Sequence, residues 1–190
     1  MLEKIPHAVG EALSGLRAGI EKTAYRAEFE GVPEAIRVTS PAFADGSAMP
    51  ARFTQDGAKL SPPLAWDGVP VGTAALVLLV EDADSPTPKP IVHAIAWDLD
   101  AVSGGLPESA LASPGSDGTV EEVGKNTFLK AGWLPPDPPT GHGPHRYLFQ
   151  VYALNRHLGL EGVPGRGALL QAMHGHVLAK GALTGTYERR

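Results

Sequence analysis

The polarity pattern changes about thirty residues into the chain. Between residues 6 and 26, Val9, Leu13, Leu16, Ile20 and Ala24 recur every three or four positions, the spacing of one apolar stripe on a helix. Pro6 suits the first turn of such a helix. Residues 1–30 are therefore expected to form a helical extension, docked on its own domain or on a second subunit. Beyond it the period shortens. Residues 36–40 alternate and read as a strand. Residues 74–80 (AALVLLV) are an unbroken apolar run, the mark of a strand buried on both faces. Residues 91–99 (IVHAIAWDL) and 147–154 (YLFQVYAL) add two strands rich in branched and aromatic side chains. Loops rich in Pro and Gly fill 82–90, 100–126 and 131–144. A second helix is expected over 167–179 (GALLQAMHGHVLA). Strands and helices do not alternate, which argues against a doubly wound parallel sheet. The expected fold is mainly β: an antiparallel sandwich of two sheets over residues 31–190, with a helix at each end of the chain.

Composition narrows the chemistry. The 190 residues include 23 glycines and 18 prolines, too many for a helical bundle. Lys and Arg number 16 against 21 Asp and Glu, a formal charge of −5. With no basic run, nucleic-acid binding is not expected. The lack of cysteine removes thiolate nucleophiles, disulfides, cysteine zinc sites and iron–sulfur clusters. The seven apolar residues at 74–80 fall far short of the roughly 20 that a spanning helix needs, so no integral membrane association is expected. The first 22 residues hold no apolar stretch of signal-peptide length, and the cytoplasm is the expected location.

Three segments concentrate reactive side chains. Asp82-Ala-Asp84-Ser-Pro86 follows the most apolar strand, and two carboxylates there are costly without a cation or proton to meet them. His93 sits inside the strand 91–99, where strict alternation gives it the same face as Ile91, Ile95 and Trp97. Gly141-His-Gly-Pro-His145-Arg-Tyr147 runs from a loop into a strand. His145 and Tyr147 share a face there, Gly143 permits close backbone approach, and Arg146 points the other way as an ion-pair partner. These residues fit an anion pocket. They also fit a metal-dependent hydrolase using Asp82, Asp84, His93 and His145, with His142, His174 or His176 in reserve, or a general acid–base enzyme.

The order of these motifs resembles the phosphatidylethanolamine-binding protein family, which includes the Raf kinase inhibitor proteins. Ser40-Pro-Ala-Phe43, Phe53-Thr-Gln-Asp-Gly57, Ser61-Pro-Pro-Leu-Ala-Trp66, Gly124-x-Asn-Thr-Phe128 and the tail Leu183-Thr-Gly-Thr-Tyr187 are similar to its bacterial branch. The likeness covers about residues 38–187. It implies two antiparallel sheets with a small anion pocket at one end, lined by Asp82, His93, His145 and Tyr147. Asp84 and Pro86 would support the pocket and Pro138 would stand on its rim, with Gly143 and Arg146 counted among the ligand-binding residues. It further implies a non-enzymatic binder of phosphate or phosphoethanolamine head groups, without metal or cofactor. A protein kinase is a candidate partner, and a homodimer is the implied assembly. The neighbouring carboxylates are expected to hold the imidazoles in their protonated, donor form. The stretch Trp133-Leu-Pro-Pro-Asp-Pro-Pro139 departs from the family's rim, and Asp137 is expected to narrow the mouth and repel anions.

Overall fold

A computed structural model describes residues 7–113 and 117–189. Seven strands form two antiparallel sheets. They are β1 (Arg37–Thr39), β2 (Leu64–Asp67), β3 (Ala75–Asp82), β4 (Ile91–Leu99), β5 (Gly104–Leu106), β6 (His145–Leu154) and β7 (Val177–Tyr187). The smaller sheet runs β1-β2-β5 and the larger β4-β3-β6-β7.

Every residue of β3 is buried, as its unbroken apolar run requires. On its inner face Leu76, Leu78 and Val80 pack with Val38, Leu64 and Trp66 of the smaller sheet. On its outer face Val77 and Leu79 meet Leu169, Leu170 and Met173 of helix α3 (Arg166–Met173), together with Tyr25 and Phe29. Each such side chain contributes about 1.5–3 kcal/mol on burial. The larger sheet is thus covered on both faces.

Two elements differ from the pattern expected. The second helix stops at Met173 rather than 179, because Gly175 turns the chain with φ 79°. The residues that follow form β7, which pairs with β6 along its length. Its small residues give no strand period. Gly181 and Gly185 are needed there because a Cβ would strike Ile36 in one case and Met49 in the other.

The N-terminal stripe is not one continuous helix. Within the described residues it is α1 (His7–Leu13), a 3₁₀ turn at Ile20–Lys22 and the short α2 (Ala24–Ala27); Pro6 lies outside them. Gly19 adopts φ 101°, a conformation that no helix accommodates. Ala18 and Gly19 instead donate their N–H groups to Ser85 and Ala83, 2.8 Å in each case. Ala24 is buried, but Val9 and Leu16 are exposed. Tertiary hydrogen bonds to the β3–β4 loop have replaced the helix that the stripe implied.

Candidate functional site

Because β4 and β6 both flank β3 in antiparallel order, they start where it stops. Asp82 therefore comes level with Ile91 and Tyr147. A cavity of about 890 Å³ opens at this end of the sheet. Asp82, His93 and His145 line its buried part, with Pro86, Trp133 and Pro138 around them. Lys59 and Lys130 supply cations to the same cavity. No spacing rule in the sequence marked these two lysines, which reach the site from separate loops.

The facing of His93 corrects the alternation argument. Val80 pairs with Ala94, but Glu81 pairs with Val92, so β4 carries a bulge at His93. Ile95 and Trp97 pack on the outer face. His93 instead meets the Tyr147 ring edge-on at 5.0 Å and the Trp133 ring at 6.1 Å. Its Nδ1 lies 2.6 Å from the Leu134 carbonyl oxygen. A carbonyl only accepts, so Nδ1 carries the proton. Nε2 is buried and has no partner among the described residues. Burial drives the His93 pKa below its ordinary 6.5, against the opposing pull of Asp82. The ring is therefore neutral near pH 7 and its free nitrogen is an acceptor, contrary to the donor form expected from the neighbouring carboxylate.

His145 is bonded at both ring nitrogens. Nδ1 lies 2.8 Å from Asp82 Oδ2, and Nε2 lies 2.8 Å from His142 Nδ1. The other oxygen of Asp82 accepts the Asp84 N–H at 2.8 Å, closing a tight turn. Tyr147 stands behind His93, fully buried, and its hydroxyl has no partner among the described residues. Burial and then Asp82 push its pKa well above 10.0, so it remains a neutral phenol.

The remaining expected residues lie outside the cavity wall. Asp84 accepts from the Arg146 backbone N–H at 2.8 Å, from Arg146 Nε at 2.7 Å and Nη2 at 2.8 Å, and pairs with Arg17 at 3.1 Å. Burial alone would raise its pKa, but Arg146 and Arg17 hold it below the ordinary value. Arg146 is thereby spent on Asp84. Gly143, with φ 89°, packs toward Arg17 rather than the cavity. His174 and His176 belong to other contacts, with Glu28 at 3.3 Å and Asn155 at 3.0 Å. Among the described residues, no group of three or more His, Asp or Glu side chains could hold a metal ion. Asp137 does line the cavity, yet Arg189 holds it at 2.8 Å while also binding Asp56. One guanidinium shared by two carboxylates leaves the trio with a net negative charge, so Arg189 offsets the expected repulsion only in part.

Comparison with known proteins agrees with this architecture. The model of the phosphatidylethanolamine-binding protein family matches residues 39–188. A UPF0098 protein of Methanothermobacter thermautotrophicus is 40% identical over 149 residues, covering 78% of this chain and 95% of its own. One from Pyrococcus horikoshii is 37% identical over 152 residues, covering 80% and 76%. The crystal structure of CT736 from Chlamydia trachomatis, described as a homolog of the phosphatidylethanolamine-binding proteins, superposes with a TM-score of 0.73 at 36% identity. It covers 83% of this chain and 99% of its own. YbcL of Escherichia coli, described as a member of the mammalian family, gives 0.74 at 26% identity, covering 82% and 99%. No helix among the described residues is long and apolar enough to cross a membrane. With two antiparallel sheets, a cavity at the β3 terminus and a family match across most of its length, the chain belongs to the phosphatidylethanolamine-binding protein family.

Proposed function

We propose that the cavity binds a small phosphate-bearing anion, free or as a phosphoethanolamine head group, and that the protein acts by binding rather than by catalysis. One observation carries this reading. His93 Nε2 is buried at the cavity without a partner among the described residues, and an unpaired buried polar atom costs about 1–3 kcal/mol unless a ligand meets it. A monoprotonated phosphate supplies a hydroxyl to that nitrogen, and its remaining oxygens suit Lys59 and Lys130. Asp82 is already engaged by His145, which limits its repulsion of the anion. A second proton on His93 would turn Nε2 into a donor. Anion binding therefore favours protonation, and affinity should fall as pH rises.

Calorimetric titration with inorganic phosphate and with phosphoethanolamine tests the reading. Binding by the wild-type protein, weakened about tenfold or more in His93→Ala, supports it. Equal binding by both proteins, or none by either, overturns it.

A further inference from the structure

His142 is buried although it does not line the cavity. What covers it is the N-terminal segment. His142 Nε2 lies 3.1 Å from the Leu16 carbonyl oxygen. Arg17 donates to the carbonyl oxygens of His142 at 3.2 Å and Pro144 at 2.9 Å. Gly10 packs so closely on the same loop that a Cβ would collide with the Thr140 carbonyl oxygen. Together with the bonds from Ala18 and Gly19 to the β3–β4 loop, these contacts tie the segment to the loops on both sides of Asp82 and His145.

The partners of these two rings fix where their protons lie. The Leu16 carbonyl can only accept, so His142 Nε2 carries a proton. A neutral His142 then offers a lone pair at Nδ1, and His145 Nε2 donates into it. The contact between His145 Nδ1 and Asp82 Oδ2 needs one proton more. The pair is then neutral overall: an imidazolium beside a carboxylate. Burial, and next the neighbouring His145, both lower the pKa of His142, which keeps it the neutral member.

We propose that His142, held by the N-terminal segment, is a positioning residue that keeps the Asp82–His145 pair protonated, so that the cavity presents a neutral floor to a phosphate instead of a bare carboxylate. The proposal rests on the phosphate reading given above. Without His142, His145 Nε2–H loses its acceptor; with the segment lifted, the Leu16 carbonyl no longer fixes the His142 tautomer that supplies that acceptor. The proton that neutralises Asp82 is then no longer held in place by a hydrogen bond at the far side of the ring, and the carboxylate's charge is left to face the anion. The other charged neighbours are the same in wild type and in His142→Phe. Arg17 of the segment and Arg146 of β6 share one carboxylate, Asp84. Lys59 and Lys130 line the cavity, and Asp137 shares Arg189 with Asp56. His93 of β4 is neutral and Tyr147 of β6 stays a phenol.

The test uses the full chain and inorganic phosphate, with affinities compared to wild type at about pH 5.5 and about pH 8, on either side of the imidazole range. At the higher pH, His142→Phe and Gly10→Val should bind roughly tenfold more weakly than wild type, the equivalent of one unit of lost proton affinity. At the lower pH the gap should close, because solvent supplies the proton. His142→Asn places an amide oxygen where Nδ1 stood and should restore most of the loss. Nitrogen NMR of the imidazoles reads the same chain without a ligand. Near neutral pH it should show protons on both nitrogens of His145 in wild type and on one in His142→Phe. A variant-to-wild-type ratio that is the same at both pH values, or a His145 spectrum unchanged by His142→Phe, overturns the proposal. If wild type fails to bind phosphate, the reading of the cavity fails, while the nitrogen spectrum still decides whether His142 controls the pair.

Discussion

Glu81 and Asp82 are consecutive residues of β3 and both are buried, but the pleat sends them to opposite faces of the same sheet. Glu81 enters a closed network. Its Oε2 accepts from the Ala24 N–H at 2.7 Å and Gln150 Nε2 at 3.0 Å, and its Oε1 accepts from Arg166 Nε at 2.7 Å. Gln150 in turn accepts from the Tyr25 N–H at 3.0 Å and the Tyr152 hydroxyl at 2.6 Å. Lys180, wholly buried, donates to the carbonyl oxygens of Tyr25 at 2.9 Å and Phe29 at 2.7 Å, and lies 3.9 Å from the Tyr25 ring centroid. Around Asp82 the network is open. The buried side-chain atoms left without a partner among the described residues are His93 Nε2, Ser113 Oγ and Tyr147 Oη. Two of these residues line the cavity and the third stands behind His93. A satisfied buried network rigidifies a fold, whereas an unsatisfied one is a cost that a ligand can relieve. One face of the sheet is thus built to hold α2 in place, and the other to receive something.

Substitutions should separate the two faces. The largest effect is expected for Glu81→Ala. It leaves Arg166 Nε, Gln150 Nε2 and the Ala24 N–H without their acceptor, and breaking a buried pair of this kind costs about 3–5 kcal/mol. Urea denaturation should show that loss with phosphate affinity unchanged in the folded protein; a loss below about 1 kcal/mol would mean that the outer network is not structural. Lys180→Met keeps the volume but removes the donor to two carbonyl oxygens. Stability should fall by about 1.5–3 kcal/mol, with faster amide exchange in α2, and an unchanged exchange pattern would show that α2 is held by Tyr25 and Phe29 packing alone.

On the other face, His93→Ala should reverse the pattern. Phosphate affinity should drop about tenfold or more while the denaturation midpoint hardly moves. A large stability loss with intact binding would place His93 with the structural residues. The smallest effect concerns pH. Burial keeps the folded-state pKa of His93 below 6.5, so the unfolded chain binds the extra proton first. That contribution to stability is present above about pH 6.5 and is lost as pH falls toward the folded-state pKa. Phosphate should offset the loss, since the anion favours the protonated ring. Melting curves from neutral pH down to about pH 5, with and without phosphate, check both signs.

Much of the larger sheet was legible in the chain because β3, β4 and β6 are buried along most of their length on both faces. The runs at 74–80, 91–99 and 147–154 became β3, β4 and β6 with small changes at their ends. The lone charges near those runs carried a signal that strand patterns ignore. Glu81 at the end of an apolar run and Lys180 between small residues mark a buried polar network, but only their spatial meeting with Tyr25 and Phe29 shows it. β7 was not legible, because its glycines record how closely other chain segments pass and not a face of its own.

For the candidate site, the sequence by itself supplied the reactive groups and their order: Asp82, Asp84, His93, His145 and Tyr147, each near the end of a strand. Strand alternation was enough to give His145 and Tyr147 a common face. Tertiary structure decided which of these groups has a free atom. The bulge in β4 rotated His93 toward the cavity, since a local change in backbone pairing reassigns a face without altering the sequence pattern. Arg146 and Arg17 withdrew Asp84 into an ion pair, and His142 occupied the outer nitrogen of His145. A one-dimensional pattern reports hydrophobic period and residue chemistry. The partner that satisfies each polar atom is a long-range fact, and here it comes from segments as distant in sequence as Leu16 and His142.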